Sequence, residues 1–325
     1  MAAQHDLRLP VTVIGGYLGA GKTTLVNHLL RQADGRRLAV LVNDFGALPI
    51  DADLIEGQDG EVLSLAGGCV CCSFGSDLIA ALMQLPARRP PPDHVLVEAS
   101  GVALPGAVAA ALSLFAGVVL DAVVVLADAE TVRERAADRY MGDTVAQQLQ
   151  AADLLVLNKI DLVAPQARGA LHAWLATMAP GAKVIDAVRA RLPRETVLGV
   201  ELGSGRARAA PALRSGTLRP PAFADALFER IEMPLAQPVD ARALAAALAE
   251  PRLGVIRAKG ILQDQDGAPT ALQLVGARAE LGTLASAHAA RGRLVCIGLK
   301  GQLNAAAIRT AVDGAARAGA SLKEC

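Results

Sequence analysis

Apolar and polar positions along this chain follow two rhythms. From the N-terminus, short and mostly apolar runs recur, each ending in a polar or glycine-rich turn. They are Val11 to Ile14, Leu38 to Val42, Glu61 to Leu65, His94 to Val97, Ala122 to Ala127, Leu154 to Leu157 and Lys183 to Val188. Runs of this length without alternation predict strands buried on both faces. Helical spacing follows the first run, with Leu25, Leu29 and Leu30 on one side, and a helix to about Gly203 is predicted after the last. Strands alternating with helices predict an α/β fold with a doubly wound, mostly parallel sheet.

The rhythm changes from Phe223. Leu227 to Met233 alternates like a half-buried strand, Pro238 to Leu248 reads as an alanine-rich helix, and Leu303 to Ala316 as another. Leu253 to Leu262, Ala271 to Val275 and Leu294 to Leu299 read as strands, which together make a smaller α+β domain. Ser204 to Pro221 carries four arginines, three prolines and no acid, the composition of an interdomain linker. The expected organisation is therefore residues 1–203, a linker over 204–221, and residues 222–325.

Composition narrows the classes of function. The 325 residues contain 32 acidic and 32 basic side chains and few aromatics. This argues against nucleic acid as a partner and against a base-stacking platform. Ala99 to Leu120 carries no charge and is long enough to span a bilayer. Pro105, three glycines and a Ser-Gly start favour a loop plus a buried helix, so no membrane partner is expected. The N-terminal MAAQHDLRLP is too polar for a signal peptide, and a cytoplasmic location is expected. The histidines (His5, His28, His94, His172, His288) are scattered without metal-ligand spacing and read as structural.

The first apolar run leads into Gly16-x4-Gly21-Lys22-Thr23, the Walker A pattern in its strand–loop–helix context. Gly16, Gly19 and Gly21 let the backbone around Ala20 curl so that its N–H groups face phosphate oxygens. The following helix, with Thr23 and Thr24 in its first turn, adds the partial positive charge of its N-terminus. Lys22 is the candidate cation for the β- and γ-phosphates, and the Thr23 hydroxyl a candidate Mg²⁺ ligand. Asp44, in Asn43-Asp44-Phe45-Gly46 after the second run, is a candidate to reach Mg²⁺; an Asx turn is the alternative. Glu98, in Glu98-Ala99-Ser100-Gly101, stands where an acidic Walker B residue would hold a water of the Mg²⁺ shell or orient the attacking water. Gly101 can offer its N–H to the γ-phosphate.

Asn158-Lys159-Ile160-Asp161 follows the run Leu154 to Leu157. Guanine carries two donors on one edge, and one carboxylate can accept both, which adenine does not offer. Asp161 would read guanine, Asn158 would hold the base edge and the loop, and the Lys159 stem would cover the ring. The alternative is a polar helix cap. Three of the five cysteines crowd into Cys69-Val70-Cys71-Cys72 behind Gly67-Gly68. Neighbours this close are poor disulfide partners and read as thiolates for zinc, cobalt(II) or cuprous ion. Three ligands leave a tetrahedral ion one short, which suits transfer; small buried hydrophobes are the alternative. Cys296 reads as core and Cys325 as frayed.

The order of these motifs resembles that of the CobW-like P-loop GTPases, a metallochaperone family related to UreG and HypB. Gly16 to Thr24 is similar to the family P-loop, Asn43 to Gly46 to its first switch, and Gly68 to Cys72 to its Gly-Cys-x-Cys-Cys signature. Glu98 to Gly101 is similar to its second switch, and Arg257 to Gly260, Leu272 to Arg278 and Cys296 to Leu299 to its appended domain. Many members carry Glu in the first switch and another acid just after its Gly, where this chain has Asp44 and Ala47, and the linker lacks the histidines common in the family. The resemblance implies GTP and Mg²⁺ as cofactors, and a transition metal, zinc or cobalt, at Cys69, Cys71 and Cys72. It also implies GTP hydrolysis that gates delivery to a client metalloprotein or metal-centre assembly protein; a homodimer is one assembly open to it. Two other classes fit the motifs: a P-loop small-molecule kinase with structural cysteines, and a nucleotide-stabilised metal buffer.

Overall fold

The computed structural model describes residues 8–33, 35–43, 61–65, 76–115, 117–199, 227–284 and 292–321. The expectations for Asp44, Cys69, Cys71, Cys72, Cys325, His5 and His288 lie outside them. Two compact units make up the chain, Met1–Leu198 and Gly199–Cys325.

Seven parallel strands form the sheet of the first unit: β1 (Leu9–Gly15), β2 (Leu38–Asn43), β3 (Glu61–Leu65), β4 (His94–Glu98), β5 (Val118–Asp128), β6 (Leu154–Asn158) and β7 (Lys183–Ala187). Their order is β3-β2-β4-β1-β5-β6-β7. Every residue of β4 and β6 is buried, which is why their sequences show no alternation. On one face, α2 (Ser76–Gln84) and α3 (Pro105–Leu112) bring Leu78, Leu82, Val108 and Leu112 against Val11, Val13, Val95 and Val97. Further along the sheet, α5 (Gly142–Gln150) and α6 (Pro165–Met178) cover Val123, Val125, Leu155 and Leu157. The short α4 (Val132–Ala136) precedes α5. The opposite residues of β4 are closed off as well, and α1 (Lys22–Arg31) lies against that strand. Its Leu25 and Leu29 are fully buried, each worth about 1.5–3 kcal/mol of apolar transfer.

The uncharged stretch resolves as expected into a loop, the eight-residue α3 and the start of β5. Among the described residues no helix is long and apolar enough to cross a membrane. The helix expected to run to about Gly203 is corrected. It is α7 (Arg194–Leu198), five residues long, and it stops where Gly199 takes φ 68°, the left-handed conformation that ends helices. The start of α7 and the residues before it are fastened to α1 and its C-terminal end. The Arg194 guanidinium donates to the Gln32 and Ala33 carbonyls at 3.1 and 2.9 Å, and His28 Nε2 lies 3.0 Å from the Leu192 carbonyl. Burial holds His28 below the ordinary imidazole range. His94 meets the Thr12 hydroxyl at 2.8 Å, and His172 meets Asp186 at 2.8 Å. Among the described residues, the histidines thus serve structure.

In the second unit an antiparallel sheet runs β11-β10-β9-β12-β8. Its strands are β8 (Phe228–Leu235), β9 (Val255–Gln263), β10 (Pro269–Val275), β11 (Arg278–Thr283) and β12 (Gly292–Leu299). Helices α8 (Ala241–Leu248) and α9 (Ala305–Ser321) cover one face, with Leu244, Leu248 and Ile308 packed on Met233, Leu272, Leu294 and Cys296. In β8, Met233 and Leu235 are buried while Arg230, Glu232 and Pro234 are not, as its alternation predicts. The Asp240 carboxylate caps α8 by accepting from the Ala243 N–H at 2.8 Å. Cys296 is fully buried, and burial pushes its thiol up to about 12. It is therefore a core side chain and no thiolate ligand.

Candidate functional site

β1 is the central strand, and its carboxyl end opens into the Walker loop. There the crossovers from β4 and β5 flank it, the position where open α/β sheets bind ligands. Gly16 has φ 130° and Gly21 φ 104°. A Cβ on Gly16 would lie 2.3 Å from the Leu126 carbonyl oxygen, and one on Gly21 2.5 Å from Asn158 Nδ2. Close approach therefore demands both glycines, and Gly19, at φ 76°, meets the same backbone need. Gly21 caps α1, whose first turn holds no acid. The N–H groups of that turn and the helix dipole suit an anion. Lys22 is 7% exposed at the head of the helix. Thr23 is half-buried and Thr24 exposed.

The structure brings two separately identified motifs into direct contact here. The Thr23 hydroxyl donates to Glu98 Oε1 at 2.8 Å, and Glu98 is 2% exposed. A hydroxyl and a buried carboxylate side by side are hard oxygen donors. That donor set fits Mg²⁺, which takes one or two such protein ligands and leaves the rest to phosphates and water. Beyond Glu98, Gly101 is buried under the Walker loop: a Cβ there would lie 2.4 Å from Leu18 Cδ2.

The third motif is tied to the first by Asn158, which is 2% exposed. Its Nδ2 donates to the Ala20 carbonyl at 2.9 Å, and its Oδ1 accepts from the Ala190 N–H at 2.7 Å. Lys159 follows at φ 61° and places Nζ 2.6 Å from Asp128 Oδ2. A single helical turn, Ile160–Leu162, carries Asp161 with its side chain exposed. The polar residues thus form a loop and no long helix cap. Replacing Asn158 with alanine would leave the Ala20 carbonyl and the Ala190 N–H without their partners. At about 1–3 kcal/mol per orphaned group, the expected loss is about 2–6 kcal/mol in urea unfolding. A loss below about 1 kcal/mol would show that the two loops do not depend on this bridge.

Three contributors carry no site signal in the sequence. Asp128 reads there only as the end of a strand, yet it pairs with Lys159. The turn after β7 supplies Ala190, with Arg189 and Ala190 both at φ 52°. Neither is glycine or asparagine, so composition gives no hint of it. Gln148, inside α5, donates to the Gly101 and Ala103 carbonyls. Among the described residues no group of three His, Cys, Asp or Glu side chains could hold a metal.

The family described as the CobW/HypB/UreG nucleotide-binding domain matches residues 10–186, and that described as the cobalamin synthesis protein cobW C-terminal domain matches residues 228–316. The zinc chaperone CobW of Pseudomonas aeruginosa is 35% identical over an alignment of 225 residues that covers 59% of this chain and 60% of the relative. The zinc-regulated GTPase metalloprotein activator 1 of Schizosaccharomyces pombe is 32% identical over 205 residues, 59% of this chain and 49% of the relative. The chain thus spans about half to three-fifths of the length of these curated relatives. A crystal structure of Zn(II)-bound YjiA GTPase from Escherichia coli covers 95% of this chain and is itself covered to 99%, at 23% identity and a TM-score of 0.43. With the family's nucleotide-binding domain matched over more than half of this chain, and the loops after β1, β4 and β6 gathered at the carboxyl end of the sheet, this chain belongs to the CobW/HypB/UreG family of P-loop nucleotide-binding proteins.

Proposed function

We propose that this chain is a GTPase metallochaperone: it captures a transition metal, zinc or cobalt, at Cys69, Cys71 and Cys72 and passes it to a client metalloprotein under control of GTP. The observation that carries the nucleotide half is the junction at Asn158, where the phosphate loop and the Asn-Lys-x-Asp loop share one buried side chain. Lys22 and the amides from Gly16 to Thr23 would hold the phosphates. Thr23, with Glu98 and Asp44, would hold Mg²⁺ directly or through water, and the ion supplies neutralisation of charge on the β- and γ-phosphates. Asp161 would select guanine.

The metal half is supported by the soft donor set of the Cys-x-Cys-Cys run and by the names of the relatives, two of which refer to zinc. In sequence the thiolate run lies between Asn43–Gly46 and Glu98–Gly101, two segments proposed to read the γ-phosphate. Ordering both by GTP would bring the thiols together, and hydrolysis would release them.

A Co²⁺ titration followed in the thiolate charge-transfer region tests this. With Mg²⁺ and a non-hydrolysable GTP analogue a tight band is expected. It weakens with Mg²⁺–GDP and disappears in Cys71→Ser. Equal binding in both nucleotide states removes the coupling, and phosphoryl transfer to an added metabolite would make the chain a kinase instead.

A further inference from the structure

We propose that Gln148 is a positioning residue, which holds the loop after β4 in the arrangement that receives the γ-phosphate. This rests on the reading of Gly101 as a γ-phosphate donor. Gln148 is 1% exposed and sits in α5 between the core residues Val145 and Leu149. Both hydrogens of its carboxamide are used on one loop: Nε2 donates to the Gly101 carbonyl at 3.1 Å and to the Ala103 carbonyl at 2.8 Å.

Burying a carboxamide in an apolar cluster is costly unless its bonds are made. A methionine would fill a similar volume without that cost, so the polar group at this position is committed to the loop. The same loop is held at three further points. The Ala99 N–H donates to the Ile14 carbonyl at 2.9 Å, and the Ala103 N–H to the Ser100 carbonyl at 3.0 Å. Leu18 of the Walker loop lies over Gly101. Strand, phosphate loop and α5 thus converge on five residues. The first three holds come from the backbone or from the Walker loop, whereas Gln148 reaches in with a side chain from outside the motifs.

A loop ordered in advance loses no further freedom when its ligand arrives. The benefit falls on the nucleotide that carries the γ-phosphate and leaves GDP aside. In Gln148→Met the affinity for a non-hydrolysable GTP analogue is therefore expected to fall about tenfold, while that for GDP stays within about twofold, both read by titration of fluorescent nucleotides with Mg²⁺. Equal weakening of both nucleotides, or of neither, would overturn the assignment, because a purely structural role does not distinguish them.

If Gln148→Met does not fold, hydrogen exchange on the wild-type chain decides. Slow exchange of the Ala103 amide without nucleotide, comparable to that of β4, supports a preset loop. Fast exchange that slows only with the GTP analogue overturns it. A wild-type chain that binds neither nucleotide overturns the nucleotide reading and this assignment together. A wild-type chain that prefers the GTP analogue by the same ratio as Gln148→Met overturns the role of Gln148 alone.

Discussion

Lys22→Ala is expected to weaken GTP binding by about two orders of magnitude or more. Charge-assisted hydrogen bonds contribute about 1.5–3 kcal/mol each, and a lysine bridging two phosphates makes at least two. Even the lower values sum to about 3 kcal/mol, a factor of more than about a hundred in affinity. The buried position of Lys22 at the head of α1 keeps it out of the high-dielectric surroundings that would weaken such a contribution. Leu25, Val26 and Leu29 still anchor the helix, so circular dichroism should show a folded protein. Calorimetric titration with GTP–Mg²⁺ checks the expectation, and an affinity within about threefold of wild type would place the phosphates elsewhere.

Asp161→Asn should move the base preference. A carboxylate accepts from both guanine donors, whereas a carboxamide accepts from one and turns its N–H₂ toward the other. A site built on hydrogen bonds loses strongly when one is replaced by an unmatched pair. Binding of GTP should fall by about a hundredfold or more. Xanthosine triphosphate, which offers one donor and one acceptor on that edge, should bind better to the variant than GTP does. The exposure of Asp161 on a short turn makes the change harmless to folding. An unchanged ratio of GTP to xanthosine triphosphate affinity would remove Asp161 from base recognition.

Much of this site is legible because its chemistry needs particular residue types. Gly16 and Gly21 announce themselves, since their φ values and the closeness of Leu126 and Asn158 exclude any side chain. Strands buried on both faces write unbroken apolar runs, and so β1, β2, β4 and β6 fall where expected. Other features rest on contacts made only after folding. Strand β11 (Arg278–Thr283) has no buried residue; it exists through its ladder to β10, with Gly276 at φ 60° in the turn between them. A glutamine in an amphipathic helix reads as solvent-facing until the tertiary fold turns Gln148 onto the Gly101 loop. Ala190 contributes only its backbone, for which the sequence has no letter. The short α7 is overestimated by its apolar spacing, which does not register Gly199 as a stop.

The coupling of nucleotide to metal is most directly tested from the nucleotide side. The affinity for a non-hydrolysable GTP analogue with Mg²⁺ would be measured with and without saturating Co²⁺, and the same pair of titrations repeated with GDP. Linkage requires that metal tighten the analogue by the same factor by which the analogue tightens metal. An increase of about fivefold or more, confined to the analogue and abolished in Cys71→Ser, is the predicted result. Analogue affinity that is indifferent to metal would contradict the account.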